Sequence, residues 1–125
     1  MATKTEQLKT ILERLGNVGG IKASAVISVD GLPIVPHTMP QDVDANTFAA
    51  MLASMVGAAE TALKSLGSKS IIDSVVAESR DVRVVAVKAG EDAILTIMMD
   101  PSANYGLIRL EAKRASDEIE KIMKQ

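Results

Sequence analysis

The stretch AVISVDGLPIVPH, residues 25–37, brings a carboxylate and the chain's single imidazole within seven positions of each other, as Asp30 and His37. Such a pair can act as general acid and base near neutral pH. The surrounding pattern argues for a turn instead. With Asp30-Gly31 as a two-residue hairpin loop, Val29 faces Leu32 and Ile27 faces Ile34. Ala25, Ile27, Val29, Leu32 and Ile34 then share one face, and Ser24 and Ser28 point the other way. Asp-Gly favours such loops because positive φ is cheapest there. Asp30 and Gly31 are therefore assigned as a structural turn. His37 sits among prolines, in a loop where a histidine is ordinarily solvated, and no second histidine or any cysteine could complete a triad or a metal site. No catalytic, cofactor-binding or metal-binding residue is assigned, and the chain reads as a non-enzyme.

Two other patterns point the same way. GSKS at 67–70 lacks the glycine spacing of a phosphate loop and reads as a helix stop. Near the C-terminus, Lys113 with Asp117, Arg114 with Glu118, Asp117 with Lys121 and Glu120 with Lys124 are spaced as a solvated ladder on a helix face.

Composition bounds the remaining function classes. The 125 residues suit one domain, 1–125, and 47% of them are apolar, mostly aliphatic. Phe48 and Tyr105 are the aromatics, which is poor material for stacking bases. A net charge of −2 with both signs interspersed argues against nucleic acid and anionic membrane surfaces. The longest uncharged run, Ala45 to Ala59, is 15 residues, too short to span a bilayer core of about 30 Å. The N-terminus lacks the apolar core of a signal peptide, and with no cysteine the sequence suits a reducing, cytoplasmic setting without membrane insertion.

These residues have to be positioned by a simple series of elements. Thr3 and Glu6 have capping-box spacing, Leu8, Ile11, Leu12 and Leu15 form a helical stripe, and Gly16 is placed for a left-handed stop. Strands are expected at about 21–29 and 32–36. A long helix should then start near Asp42 and Asp44 and stop at Gly67. Three strands follow, at about 70–79, 82–88 and 93–99, and a last helix covers about 103–123 after the breaker Asp100-Pro101. The order α-β-β-α-β-β-β-α implies an α+β fold with a five-stranded antiparallel sheet and helices on both faces.

The second helix carries an unusual face. Phe48, Leu52, Met55, Ala59, Ala62 and Leu66 form a normal core stripe. Opposite lie Ala50, Ala53, Ser54, Gly57 and Thr61, all small and uncharged where an exposed face should carry charge. A mid-helix glycine costs about 1 kcal/mol relative to alanine, so Gly57 suggests close approach of another helix. Pro33, Pro36 and Pro40 suit an edge strand that cannot recruit another. The third strand is left as the open edge, with Ile71, Asp73, Val75 and Ala77 on one face and Ile72, Ser74, Val76 and Glu78 on the other.

The hairpin ASAVISVDGLPIV, the small-residue helix and the segment AILTIMMDPSANYGLIRLEAKRASDEI together resemble the Roadblock / dynein light-chain family, over nearly the whole chain. The shared marks include Gly31 and an Asn-x-Gly-x-x-Arg helix entry, here Asn104, Gly106 and Arg109. The resemblance implies a profilin-like layering, no cofactor, and homodimers or heterodimers built on the second helix and third strand. It also implies binding of a Ras-like small GTPase as a regulator or scaffold, or a purely structural adaptor role between larger proteins. The dimer or partner surface would then comprise Ala50, Ala53, Ser54, Gly57, Thr61, Ile72, Ser74 and Val76.

Overall fold

Eight elements follow one another in the expected order: α1 (Lys4–Leu15), β1 (Ile21–Ser28), β2 (Pro33–Pro36), α2 (Ala45–Ser65), β3 (Ser74–Glu78), β4 (Arg83–Ala89), β5 (Ala93–Met99) and α3 (Tyr105–Met123). The computed structural model describes residues 2–36, 40 and 42–125. His37 lies outside the described residues.

The strands form one sheet in the order β2-β1-β5-β4-β3, antiparallel at every ladder. Strand alternation sends Val26, Val85, Leu95, Ile97 and Met99 to one face, where α1 and α3 cover them. It sends Ala25, Ile27, Ala86 and Ile94 to the other, where α2 lies. This is the layered α+β arrangement expected from the element order. Each fully buried large aliphatic side chain contributes about 1.5–3 kcal/mol, so the two interlayer cores dominate stability.

The helix ends show local sequence at work. Thr3 and Glu6 form the capping box of α1, and Leu8, Ile11, Leu12 and Leu15 are buried. Gly16 corrects one expectation: its φ is −60°, so α1 ends without a left-handed residue. Gly67, at φ +96°, does stop α2. Its N–H donates to the Lys64 carbonyl and that of Ser68 to the Leu63 carbonyl, which satisfies the helix's last acceptors. GSKS is thus a helix stop. After β5 the Asp100 carboxylate accepts from the Ser102 hydroxyl and N–H, at 2.7 and 2.9 Å, and those bonds hold its pKa below the ordinary carboxylate range.

The Asp-Gly hairpin is a turn of a different type. The Gly31 N–H donates to the Ser28 carbonyl at 3.0 Å, and the Ser28 N–H donates to the Leu32 carbonyl at 2.8 Å. The loop therefore has three residues, Val29, Asp30 and Gly31. No described residue other than glycine has positive φ, and Gly31 sits at +92°. A two-residue loop would have put Asp30 at positive φ as well; the longer loop lets glycine alone carry that conformation. The register changes with it. Ile27 lies opposite Pro33 and Val26 opposite Val35, with a bulge at Ile34 between them. Ile34 consequently packs on the α1/α3 side, away from Ile27, and Leu32 is 63% exposed.

Two further expectations are corrected. The core stripe of α2 is Ala49, Leu52 and Val56, flanked by Phe48, Met55 and Ala59. Ala62 and Leu66 are exposed because residues 61–67 overhang the sheet. On α3 the expected Lys113–Asp117 and Glu120–Lys124 pairs form, at 3.7 and 3.0 Å. Glu118, however, pairs with Arg14 across the α1/α3 contact, and Arg114 turns to Glu111. The neighbouring helix offers Glu118 a partner that α3's own spacing could not reveal.

Candidate functional site

Gly31 explains two of the small residues on α2. A β-carbon on Gly31 would lie 3.2 Å from Ala50 Cα and 3.8 Å from Ala53 Cβ. Ala50 and Ala53 are half-buried beneath this turn, so their small size serves an intrachain contact. A larger residue at either position would lift the hairpin off α2.

The rest of the stripe faces outward. Ser54, Gly57 and Thr61 are exposed, and nothing approaches within 4 Å of a β-carbon built at Gly57. No contact within the described chain accounts for glycine there. The neighbouring exposed positions before the last turn are also uncharged: Met51 (60% exposed), Ala58 and Ala62. The hydroxyls on this face are already satisfied by the helix itself. Ser54 Oγ donates to the Ala50 carbonyl at 2.8 Å, Thr61 Oγ1 to that of Gly57 at 3.1 Å, and Ser65 Oγ to that of Ala62 at 2.7 Å. Covering such a surface removes few water-dependent hydrogen bonds, so its desolvation cost is low. The charged groups of α2 come late in the helix: Glu60 lies 3.6 Å from Lys88, tying α2 to β4, and Lys64 is exposed in the last turn.

The overhanging end of α2 continues the apolar surface. Leu63 and Leu66 are 40% and 84% exposed, and Ile71, in the segment that follows, is 63% exposed. Sequence pattern does not single these residues out as a surface. Helical periodicity absorbs Leu66 into the core stripe, as if the sheet extended under the whole helix.

β3 is the sheet edge opposite β2, and its outer side has no strand partner among the described residues. It is shorter than expected, five residues, with Ser70 to Asp73 outside it. Ile72 therefore does not share a face with Ser74 and Val76. It is buried at 7% exposure against the α2 core, whereas Val76 is 44% exposed. Ser74 is half-buried and accepts a hydrogen bond from Arg109 Nη1 at 2.9 Å. Arg109 also reaches the Tyr105 hydroxyl at 3.3 Å, and the Arg83 guanidinium lies 5.3 Å over the Tyr105 ring while pairing with Glu78. The Asn-x-Gly-x-x-Arg entry thus acquires a physical role: Asn104 caps α3 by accepting from the Leu107 N–H, and Arg109 pins the start of the edge strand to α3.

Among the described residues no group of three or more His, Cys, Asp or Glu side chains is placed to hold a metal ion, and no helix is long and apolar enough to cross a membrane. Asp30 is exposed at the hairpin tip. What the geometry assembles is a face of small, uncharged residues on α2 and, at the sheet edge, a strand unpaired on its outer side among the described residues.

Comparison with known proteins agrees with this architecture. The Roadblock/LC7 domain model matches residues 7–99. An uncharacterized protein of Methanocaldococcus jannaschii is 35% identical over 109 residues, covering 87% of this chain and 90% of that protein. Among solved structures, the gliding protein MglB from Thermus thermophilus superposes with a TM-score of 0.87 at 23% identity, covering 99% of this chain and 93% of that one. A Roadblock/LC7 domain from Streptomyces avermitilis gives 0.86 at 18%, covering 94% and 98%. The family match spans most of the elements described above, from α1 through β5, and the chain belongs to the Roadblock/LC7 family.

Proposed function

We propose that this protein is a non-enzymatic, dimeric regulator or scaffold that binds a Ras-like small GTPase in the cytoplasm. The observation that carries the reading is the outer face of α2, uncharged from Met51 to Thr61, with hydroxyls satisfied internally and a glycine that no intrachain contact requires. A second copy related by a twofold axis would bring two such faces together and let β3 pair with its own counterpart. Self-pairing would also cover an edge strand that is otherwise an aggregation liability. Of the proposed interface residues, Ser54, Gly57, Thr61 and Val76 have the exposure this requires. Ser74 would take part through its backbone, and Ala50, Ala53 and Ile72 would support the surface from beneath.

Family membership supports a regulatory role, and the choice of a GTPase rests on the family resemblance. The decisive experiment is a pull-down with the Ras-like GTPases of the same organism, followed by nucleotide hydrolysis and exchange assays. Binding with an altered rate is the expected result. Binding with unaltered turnover would favour the structural adaptor, and no binding to any of them would refute the partner assignment.

A further inference from the structure

The opposite side of the sheet holds a second unoccupied surface. Ile108, Ala112, Ala115 and Ile119 fix α3 to the core, yet Leu107 and Leu110 are 45% and 50% exposed. Leu110 forms one wall of a cleft of about 400 Å³ between α3 and the start of β3, with Val87 and Gly106 as further apolar lining. A β-carbon at Gly106 would meet only Asn104 Oδ1, at 3.5 Å, so glycine there is not demanded by crowding. It keeps that part of the wall low.

The rim is asymmetric in charge. Arg109 and Lys113 lie on the α3 side and Asp73 on the β3 side. Arg109 uses Nη1 for Ser74 and Tyr105, which leaves Nε and Nη2 for a ligand. Lys113 is 3.7 Å from Asp117, but both side chains are more than half exposed, and such a pair exchanges readily. Two cations beside an apolar cleft, on a chain of net charge −2, select for carboxylates at one rim. A membrane would need a broad basic band, whereas here Asp73 and Asp117 interrupt the positive surface.

We propose that this cleft docks an acidic amphipathic segment of a partner protein. One apolar side chain would seat against Leu110 and Val87, and neighbouring carboxylates would engage Arg109 and Lys113. The site lies on the sheet face away from α2, and its other wall, Asp73 and Ser74, adjoins the strand through which self-pairing is proposed.

The test uses the full chain and three probes: a fluorescein-labelled peptide of amphipathic Leu/Glu sequence, its Leu/Lys twin, and phosphatidylserine vesicles. Anisotropy should show binding of the Leu/Glu peptide and not of the twin. Leu110→Asp and Lys113→Glu should each weaken that binding about tenfold, as for residues at the centre and rim of a contact, with circular dichroism and sedimented mass unchanged. Lys113→Arg should retain it. Equal binding of the twin, no binding of the Leu/Glu peptide, or unchanged affinity in both variants would overturn the proposal. Vesicle co-sedimentation abolished by both variants would overturn it in favour of a membrane surface.

Discussion

Replacing Gly31 with valine should destabilise the fold by about 3–4 kcal/mol, through two effects that add. Its φ of +92° is a conformation that costs an L-residue about 1–2 kcal/mol, more when the side chain is β-branched. Any β-carbon there would also sit 3.2 Å from Ala50 Cα, an atom of the α2 backbone that cannot rotate away. Relieving that contact means lifting the hairpin or α2, and overpacking of this kind costs about 1–3 kcal/mol. Gly31→Ala carries the same β-carbon without the branch and should show both effects in milder form, about 2–3 kcal/mol. Asp30→Ala should stay within about 0.5 kcal/mol, because Asp30 has ordinary φ and an exposed side chain. Urea unfolding followed by circular dichroism, at one fixed protein concentration, reads all three. With a slope of about 1–3 kcal/mol per molar urea, the valine variant should lose about 1–4 M in midpoint. A valine variant unfolding at the wild-type midpoint would refute the turn geometry. Rescue of the alanine variant by Ala50→Gly would refute the claim that the nearest obstacle is backbone.

Other expectations follow from single side chains. Thr96 Oγ1 is buried on the central strand β5 without a hydrogen-bond partner, so Thr96→Val should raise stability by up to about 1 kcal/mol in the same urea assay. Thr3→Ala removes the capping box of α1 and should cost about 1 kcal/mol. The Asp100 pKa is lowered on folding, so its contribution is present above the ordinary carboxylate range and is lost as pH falls through the folded pKa. Asp100→Asn should therefore flatten the acid limb of a stability-versus-pH curve measured by thermal melting. His37→Ala should leave melting temperature and oligomeric state unchanged, and a specific loss of activity with stability intact would reopen the acid–base reading of Asp30 and His37.

Local rules made much of the fold legible in advance. Thr3 and Asp44 cap α1 and α2, Gly67 ends α2, and the prolines of β2 mark an edge strand. What escaped was set by contacts between elements. The loop at Asp30-Gly31 depends on how the hairpin seats on α2, and Glu118 chooses Arg14 because α1 lies beside α3. Helical periodicity could not show that α2 outruns its sheet, leaving Leu66 in the open. Nor could strand alternation place Ile72, which falls just outside β3 and turns inward. The candidate surface was legible as a lack of charge. Which small residues face outward and which cushion the hairpin required the packing.

The central claim, self-association through the outer face of α2, is tested most directly by sedimentation equilibrium of the wild-type chain and Gly57→Arg across the micromolar range. Nothing within 4 Å opposes a side chain at position 57, and arginine is a better helix former than glycine, so the variant should fold normally by circular dichroism. At a helix–helix contact the same guanidinium would clash or be buried unpaired, at a cost of several kcal/mol. The expected result is a wild-type mass of twice 13.2 kDa and a folded variant of 13.2 kDa. A wild-type chain that stays at 13.2 kDa throughout, or a Gly57→Arg variant that remains dimeric, would contradict it.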